Sequence, residues 1–506
     1  MLIKILSFYH KKRLLTNALL SVCQVLVIGA TYFILFSIVL KSLGSIKLGV
    51  WSLILSTSSV ANIANIGLAS SLVKYIASYS PDKDADKINN LIKTGLLSIA
   101  IFIGIIALFI YVIGYIALPI FIVPTELDEG LFLLPLSLIS LWINGVGGVF
   151  LSAIDGLHSS SLRSVIYIFS SLLFLLLAYL LLPHYGLVGV AIAQIIQAST
   201  IFLLAGTGLK IIFKKFSLFP LFLDKATFKQ IFEYSTKFQT IGILQLFYDP
   251  TTKFLLSKYG GLDFVGFYEM SSRLVLQIRS LIVSANQVIV PTVASRVQNN
   301  TQDTLYPKVL NLVIMLAFPI GISLIILAPY ISFYWIGYYE PYFIYSLIIL
   351  SIGYFLNILC VPAYFSSIGI GSLQGILNAH IVMAILNASL GLILGYLFDG
   401  WGVITAFAIT ILIGGEMMIT SYHKQQNIPM KAIIKNDFYK VGIYSLITAI
   451  IGLSLYWAEA INLRASYLLS FNFLLLFVYF KLILKHNLFF NSILDRFKFE
   501  SKKIFS

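Results

Sequence analysis

Charge is scarce in this chain, and so is cysteine. Only 11% of its 506 residues are Asp, Glu, Lys or Arg, while 59% are hydrophobic. Soluble domains carry about 25% charged residues, so a water-soluble globular protein is excluded. The cysteines number two, Cys23 and Cys360, both inside apolar runs. That rules out a disulfide framework and a C-x-x-C metal site. The six histidines (10, 158, 184, 380, 423 and 486) are scattered without an H-E-x-x-H pattern, so nothing points to a zinc hydrolase. Acids are the scarcer sign, 20 against 34 bases, for a net charge of +14. In a soluble protein such an excess would suggest nucleic acid; here no nucleic-acid partner is expected, because the bases follow a membrane topology.

Long apolar runs are what the chain has in abundance. Fourteen are read, at about 16–40, 49–73, 91–117, 131–154, 165–183, 187–209, 230–256, 264–293, 309–335, 342–366, 372–397, 402–422, 439–458 and 465–484. Each has at least about 19 residues, enough for a hydrocarbon core about 30 Å thick. The start, "MLIKILSFYHKKRLL", is basic before its apolar run and lacks a small-residue cleavage site, so it reads as an uncleaved first span. With the edge residues Lys93, Lys440 and Lys481 given to their adjacent loops, 26 Lys and Arg fall in the N-terminus, the even-numbered loops and the C-terminus, and four in the odd-numbered loops (Lys41, Lys47, Lys258, Arg464). The positive-inside rule then puts both termini in the cytoplasm. The opposite loops are short, the longest around "LPIFIVPTELDEG". They leave no room for the external domain that a membrane glycan polymerase or glycosyltransferase generally needs, so an enzyme is not expected.

Two echoes run through the chain. "KSLGSIKLGVWS" (41–52) aligns with "KYGGLDFVGFYE" (258–269), matching Lys41 to Lys258, Gly44 to Gly261, Gly49 to Gly266 and Trp51 to Tyr268 at an offset of 217. "GVAIA" (189–193) resembles "GVITA" (402–406) at an offset of 213. The expected fold is therefore an all-α polytopic membrane protein of about 14 transmembrane helices. Two parallel six-helix repeats, residues 1–215 and 216–435, form two lobes around a central cavity; residues 436–506 add two helices and a basic cytoplasmic tail. Parallel repeats of this kind are a transporter architecture.

Four bases, Lys237, Lys253, Arg273 and Arg279, lie inside spans seven and eight. A charge at bilayer depth costs about 2.5–3.5 kcal/mol on insertion scales, so something must offset them. Asp249 with Lys253, and Glu269 with Arg273, stand four apart and share helix faces, so each can pair. A four-member staple between the helices is one reading; lining a transport path is the other. Arg279 has no acid three or four residues away, and an unpaired mid-membrane guanidinium suits a wet cavity and an anion it can hold bidentately. Lys237 either extends this cationic track or snorkels to the interface. In the N-terminal half, Gln24, Asn62, Asn65 and Asn144 are candidate polar lining, or amides that bridge helices. Glu416 and His380 are candidates for coupling to protons or cations, and Asp155 reads as interfacial.

The wording resembles a known family. "LGVWSLILSTSSVANIANIGLASSLVKYIASY" (48–79) is similar to the second-span signature of O-antigen flippases, in the polysaccharide transporter branch of the multidrug/oligosaccharidyl-lipid/polysaccharide exporter superfamily. "GFYEMSSRLVLQIRSLIVSANQVIVPTVASRV" (266–297) and the Gly-rich "HYGLVGVAIAQII" (184–196) resemble the same family. The resemblance implies flipping of undecaprenyl-pyrophosphate-linked oligosaccharide, an O-antigen, capsule or lipopolysaccharide repeat unit, from the inner to the outer leaflet of the bacterial inner membrane. It also implies membrane lipid and the polysaccharide polymerase and chain-length machinery as partners, and no cofactor. Sodium, protons or membrane potential stay open as the drive. Two departures stand out: related lipid-precursor flippases often carry basic residues in the first helices, and multidrug exporters a carboxylate-centred cation site in the N-terminal half. Neither is found here. A lipid II flippase or a cation-coupled multidrug exporter is the alternative within the superfamily.

Overall fold

The computed structural model describes residues 2–60, 68–229, 242–245, 248–286, 305–429, 436–459 and 465–486. Among the described residues there is helix and no strand, the form in which an apolar segment satisfies its own backbone groups in lipid. The helices are α1 (Leu2–Leu43), α2 (Ser45–Ser59), α3 (Leu68–Ser78), α4 (Ala85–Phe121), α5 (Pro124–Gly156), α6 (Ser160–Ile212) and α7 (Tyr248–Asn286). They continue as α8 (Leu305–Ile336), α9 (Pro341–Asn357), α10 (Val361–Ile370), α11 (Gln374–Gln426), α12 (Asn436–Glu459) and α13 (Ala465–His486). Seven stretches among the described residues are long and apolar enough to cross a membrane. The chain is a multi-pass membrane protein.

Three of these helices are broken, and the breaks coincide with the echoes. At 53 residues, α6 would extend about 80 Å if straight, well beyond a bilayer core. It is interrupted at Gly186, with φ 56° and ψ −139°. Its counterpart α11, also 53 residues, is interrupted at Phe398 and at Asp399, where φ is 54° and ψ −147°; Gly186 and Asp399 are 213 positions apart. Next to each break a glycine lets the second arm close on the first. A Cβ on Gly189 would meet the Leu181 carbonyl oxygen at 2.6 Å, and one on Gly402 would collide with that of Leu394. The other echo behaves alike: Gly44, before α2, has φ 85° and ψ 175°, and Gly261, within α7, has φ 83° and ψ 168°.

The chain folds as two compact units, residues 1–269 and 270–506, and the division falls inside α7. In the first, α5 packs on α4 and α6, and α6 on α1. Leu35, Phe36, Leu48, Trp51 and Phe174 are among its fully buried side chains. An Asp155–Arg163 ion pair of 2.6 Å joins the end of α5 to the start of α6. In the second unit, α8 packs on α9, α12 and α13, and α9 on α11. Its core includes Tyr306, Ile314, Ile326, Tyr422, Val441 and Tyr479. The last helices are keyed to α8 by polar and close contacts: Asn472 donates to the Tyr330 hydroxyl at 3.1 Å, and Gly452 packs on Ile326.

Candidate functional site

Two charged sites stand out, one in each unit. In the first, Asp249 and Lys253 occupy successive turns of the first arm of α7. Lys253 Nζ lies 2.7 Å from Asp249 Oδ2 and 2.6 Å from Glu269 Oε2, on the arm beyond Gly261. The Lys253 and Glu269 side chains are each 2% exposed, that of Asp249 45%. Ser52, on α2, donates its hydroxyl to the same Glu269 oxygen at 3.1 Å. Deep burial of a charge is tolerable when partners are this close and remaining lone pairs are bonded.

The site depends on a close helix crossing. A Cβ on Gly49 would collide with the Leu262 carbonyl, and one on Gly266 would lie 2.6 Å from the Ser45 carbonyl oxygen. Ser45 also donates to Asp263. Only glycine permits so near a backbone approach, which brings Ser52 within reach of Glu269. The expected pairing of Asp249 with Lys253 is present, and Glu269 joins it. Lys253 is thus held by two carboxylates of its own chain.

Arg279 is different. It lies half-buried on α7 in the second unit, where Nη2 donates to Asn357 Oδ1 at 3.2 Å. Asn357, at the end of α9, is itself oriented by a 2.7 Å bond from its Nδ2 to the Ile411 carbonyl. The guanidinium lies 5.5 Å from the Tyr354 ring centroid, a cation–π distance. Its Nε is buried and has no hydrogen-bond partner among the described residues. None of the ion pairs among the described residues involves it. Neutral partners thus position the cation without neutralising it.

Arg273 is half-buried on α7, His380 is buried on the first arm of α11, and Glu416 is exposed on the second. Gln24 is half-buried on α1, with Oε1 buried and unbonded among the described residues, and Asn144 is exposed on α5. Lys237, Asn62 and Asn65 lie outside the described residues. Ser52, Asn357 and Tyr354 were not anticipated. A signal for Ser52 exists, since it stands 217 positions before Glu269, and Asn357 is an amide inside an apolar run.

Residues 97–337 match a family model described as a polysaccharide biosynthesis protein. No curated protein matches the chain in sequence. Among solved structures, the chain is similar to the lipid II flippase MurJ in an inward closed conformation, with a TM-score of 0.72 and 15% identity over 94% of this chain and 99% of that one. It is also similar to an inward-facing multidrug resistance MATE family transporter of the MOP superfamily (TM-score 0.67, 14% identity, 79% of this chain and 94% of that one). A third match is the MATE transporter VcmN of Vibrio cholerae (TM-score 0.62, 14% identity, 83% and 98%). The fold is thus one shared with MurJ and the MATE transporters, in keeping with the resemblance read from the sequence.

Proposed function

We propose that this protein is a flippase that moves an undecaprenyl-pyrophosphate-linked oligosaccharide, a repeat unit of O-antigen, capsule or a related surface polysaccharide, from the inner to the outer leaflet of the bacterial plasma membrane by alternating access. The family match to polysaccharide biosynthesis and the flippase fold support transport of a lipid-linked glycan, and no chemical step is assigned. Arg279 carries the reading. It is a cation amid apolar helices, oriented by Asn357 and Tyr354, with a buried Nε still to be bonded. A pyrophosphate supplies the acceptors and the charge it lacks, while the prenyl tail stays in lipid.

In this reading Arg273 and Lys237 are further phosphate contacts, and Gln24, Asn62, Asn65 and Asn144 polar lining for sugars. His380 and Glu416 are the coupling groups, driven by sodium, protons or membrane potential. Lys253, with Asp249 and Glu269, braces the arms of α7. The architecture proposed is two six-helix lobes, 1–215 and 216–435, with 436–506 appended and both termini cytoplasmic. The like backbone angles at Gly44 and Gly261, and at Gly186 and Asp399, support it.

A lipid II flippase is the second reading. The likeness to MurJ extends over 94% of this chain, against 79% for the first MATE match, and favours a lipid-linked cargo over a drug. The test is translocation of fluorescent polyprenyl-pyrophosphate oligosaccharide in proteoliposomes, with lipid II and a cationic dye as rival cargoes. Arg279→Ala should slow the glycan about tenfold or more, the scale of a lost charge-assisted hydrogen bond, and Arg279→Lys should fall between. An unchanged rate in Arg279→Ala removes the residue from the mechanism, and preference for lipid II or dye selects the other reading.

A further inference from the structure

The segment that leaves α6 is not helical from Phe213 to Asp224, yet it is firmly tethered. Asn89, near the start of α4, clasps it with both amide atoms. Its Nδ2 donates to the Lys215 carbonyl at 3.0 Å, and its Oδ1 accepts from the Ser217 amide at 3.1 Å. One turn further along α4, the Thr94 hydroxyl accepts from the Asp224 amide at 3.3 Å. Lys93 between them is only 6% exposed, its Nζ 5.4 Å from the centroid of the Phe222 ring. Lys215 Nζ donates to the Asp82 carbonyl at 2.7 Å.

The outward side of this strap is both apolar and basic. Phe219 is 72% exposed, and Leu221, Phe222 and Leu223 are each 40% exposed. Lys210, Lys214, Lys215 and Lys225 are exposed alongside. The strap's own acid, Asp224, accepts bonds from the Ala226 and Thr227 amides at 3.4 and 3.0 Å, so its charge serves the helical turn that follows. On the neighbouring loop, Asp84 is paired with Lys87 at 2.9 Å, and Asp82, Lys83 and Asp86 are exposed there as further charges of both signs.

Neither water nor hydrocarbon suits such a surface. Four large apolar side chains lose their hydrophobic stabilisation in water, and non-helical backbone in hydrocarbon leaves polar groups unsatisfied at several kcal/mol each. The headgroup boundary satisfies both, taking the apolar side chains into the acyl edge and leaving amides and ammonium groups among headgroups. Lysines at that level favour acidic lipids.

We propose that residues 213–224 are a surface strap, and that its Lys214 and Lys215, with Lys225 next to it, bind the phosphodiester headgroups of acidic phospholipids. The ligand is bulk lipid and not cargo, so the proposal stands independently of the transport reading.

The test uses the full chain in nanodiscs, with Leu221→Cys on a Cys23→Ser background carrying a fluorophore. Phosphatidylglycerol and phosphatidylcholine, each nitroxide-labelled at the headgroup, are compared as quenchers at equal mole fraction. Phosphatidylglycerol should quench at least about threefold more strongly, given the attraction per lysine near a charged surface. Lys214→Gln/Lys215→Gln/Lys225→Gln should bring the two lipids level while keeping the quenching by phosphatidylcholine. Lys214→Gln alone, a surface change, should lower the ratio measurably if the triple variant fails to fold. Equal quenching by both lipids in the parent, or selectivity kept in the triple variant, overturns the assignment. Quenching by neither lipid also overturns it, since the strap then faces water or another protein.

Discussion

Asp399 holds a backbone conformation that suits glycine. Its φ of 54° and ψ of −147° border a region that costs a residue with a Cβ about 1–3 kcal/mol, and the matching turn in α6 is made by Gly186. Asp399→Gly should therefore stabilise the protein. Relief of strain exceeds the added chain entropy of glycine, about 0.5–1 kcal/mol, by roughly 1 kcal/mol, and melting in detergent should rise by a few degrees. A lower melting temperature would mean that the Asp399 side chain supplies a bond worth more than the strain. The turn itself is legible in the sequence, because "GVAIA" and "GVITA" follow it at a fixed offset. Which residue makes it is less so, since an aspartate does not advertise a positive φ. Arg279 divides in the same way. Its lack of an acid within a helical turn can be read directly, whereas Asn357, 78 positions away, meets it only through the packing of α9 on its neighbours.

At the scale of helices, the register that relates Gly44 to Gly261 also relates Phe36 to Lys253 and Ser52 to Glu269. Phe36 packs on Trp51, ring centroids 5.5 Å apart, whereas Lys253, in register with Phe36, pairs with Glu269, in register with Ser52. An i,i+4 pair such as Asp249–Lys253 is legible from spacing alone. That Glu269 completes it depends on the angle set at Gly261, which no periodicity reports. One helix junction is thus braced by aromatic packing and the other by charge. Lys253→Phe alone should destabilise by about 3–5 kcal/mol, because it strands the buried Glu269 carboxylate. Lys253→Phe with Glu269→Ser copies the first junction and should recover most of that loss, as replacement of a whole buried pair often does. Thermal unfolding followed by gel filtration measures both. Failure of the double variant to recover would show that the brace depends on more than this pair. Recovered folding without recovered translocation would mean that the charges act in transport.

For the whole molecule, pairs of apolar runs read separately in the sequence join, among the described residues, into single long helices, because turns such as Gly186 and Asp399 use so few residues that successive helices abut. Counting crossings therefore relies on sidedness, and the 26-to-4 division of Lys and Arg supplies it. If that division records topology, Asp128 and Tyr338 face outward while Lys83 and Lys424 face the cytoplasm; all four are exposed, one of each kind in either unit. Cysteines placed singly at these positions, with Cys23 and Cys360 replaced by serine, should divide cleanly with an impermeant maleimide. Asp128→Cys and Tyr338→Cys label in intact cells, whereas Lys83→Cys and Lys424→Cys label only after permeabilisation. Complete reversal would invert the orientation. A split within either pair has a different meaning: an odd number of crossings between the units, which parallel six-helix lobes forbid, since each must return the chain to the side where it began.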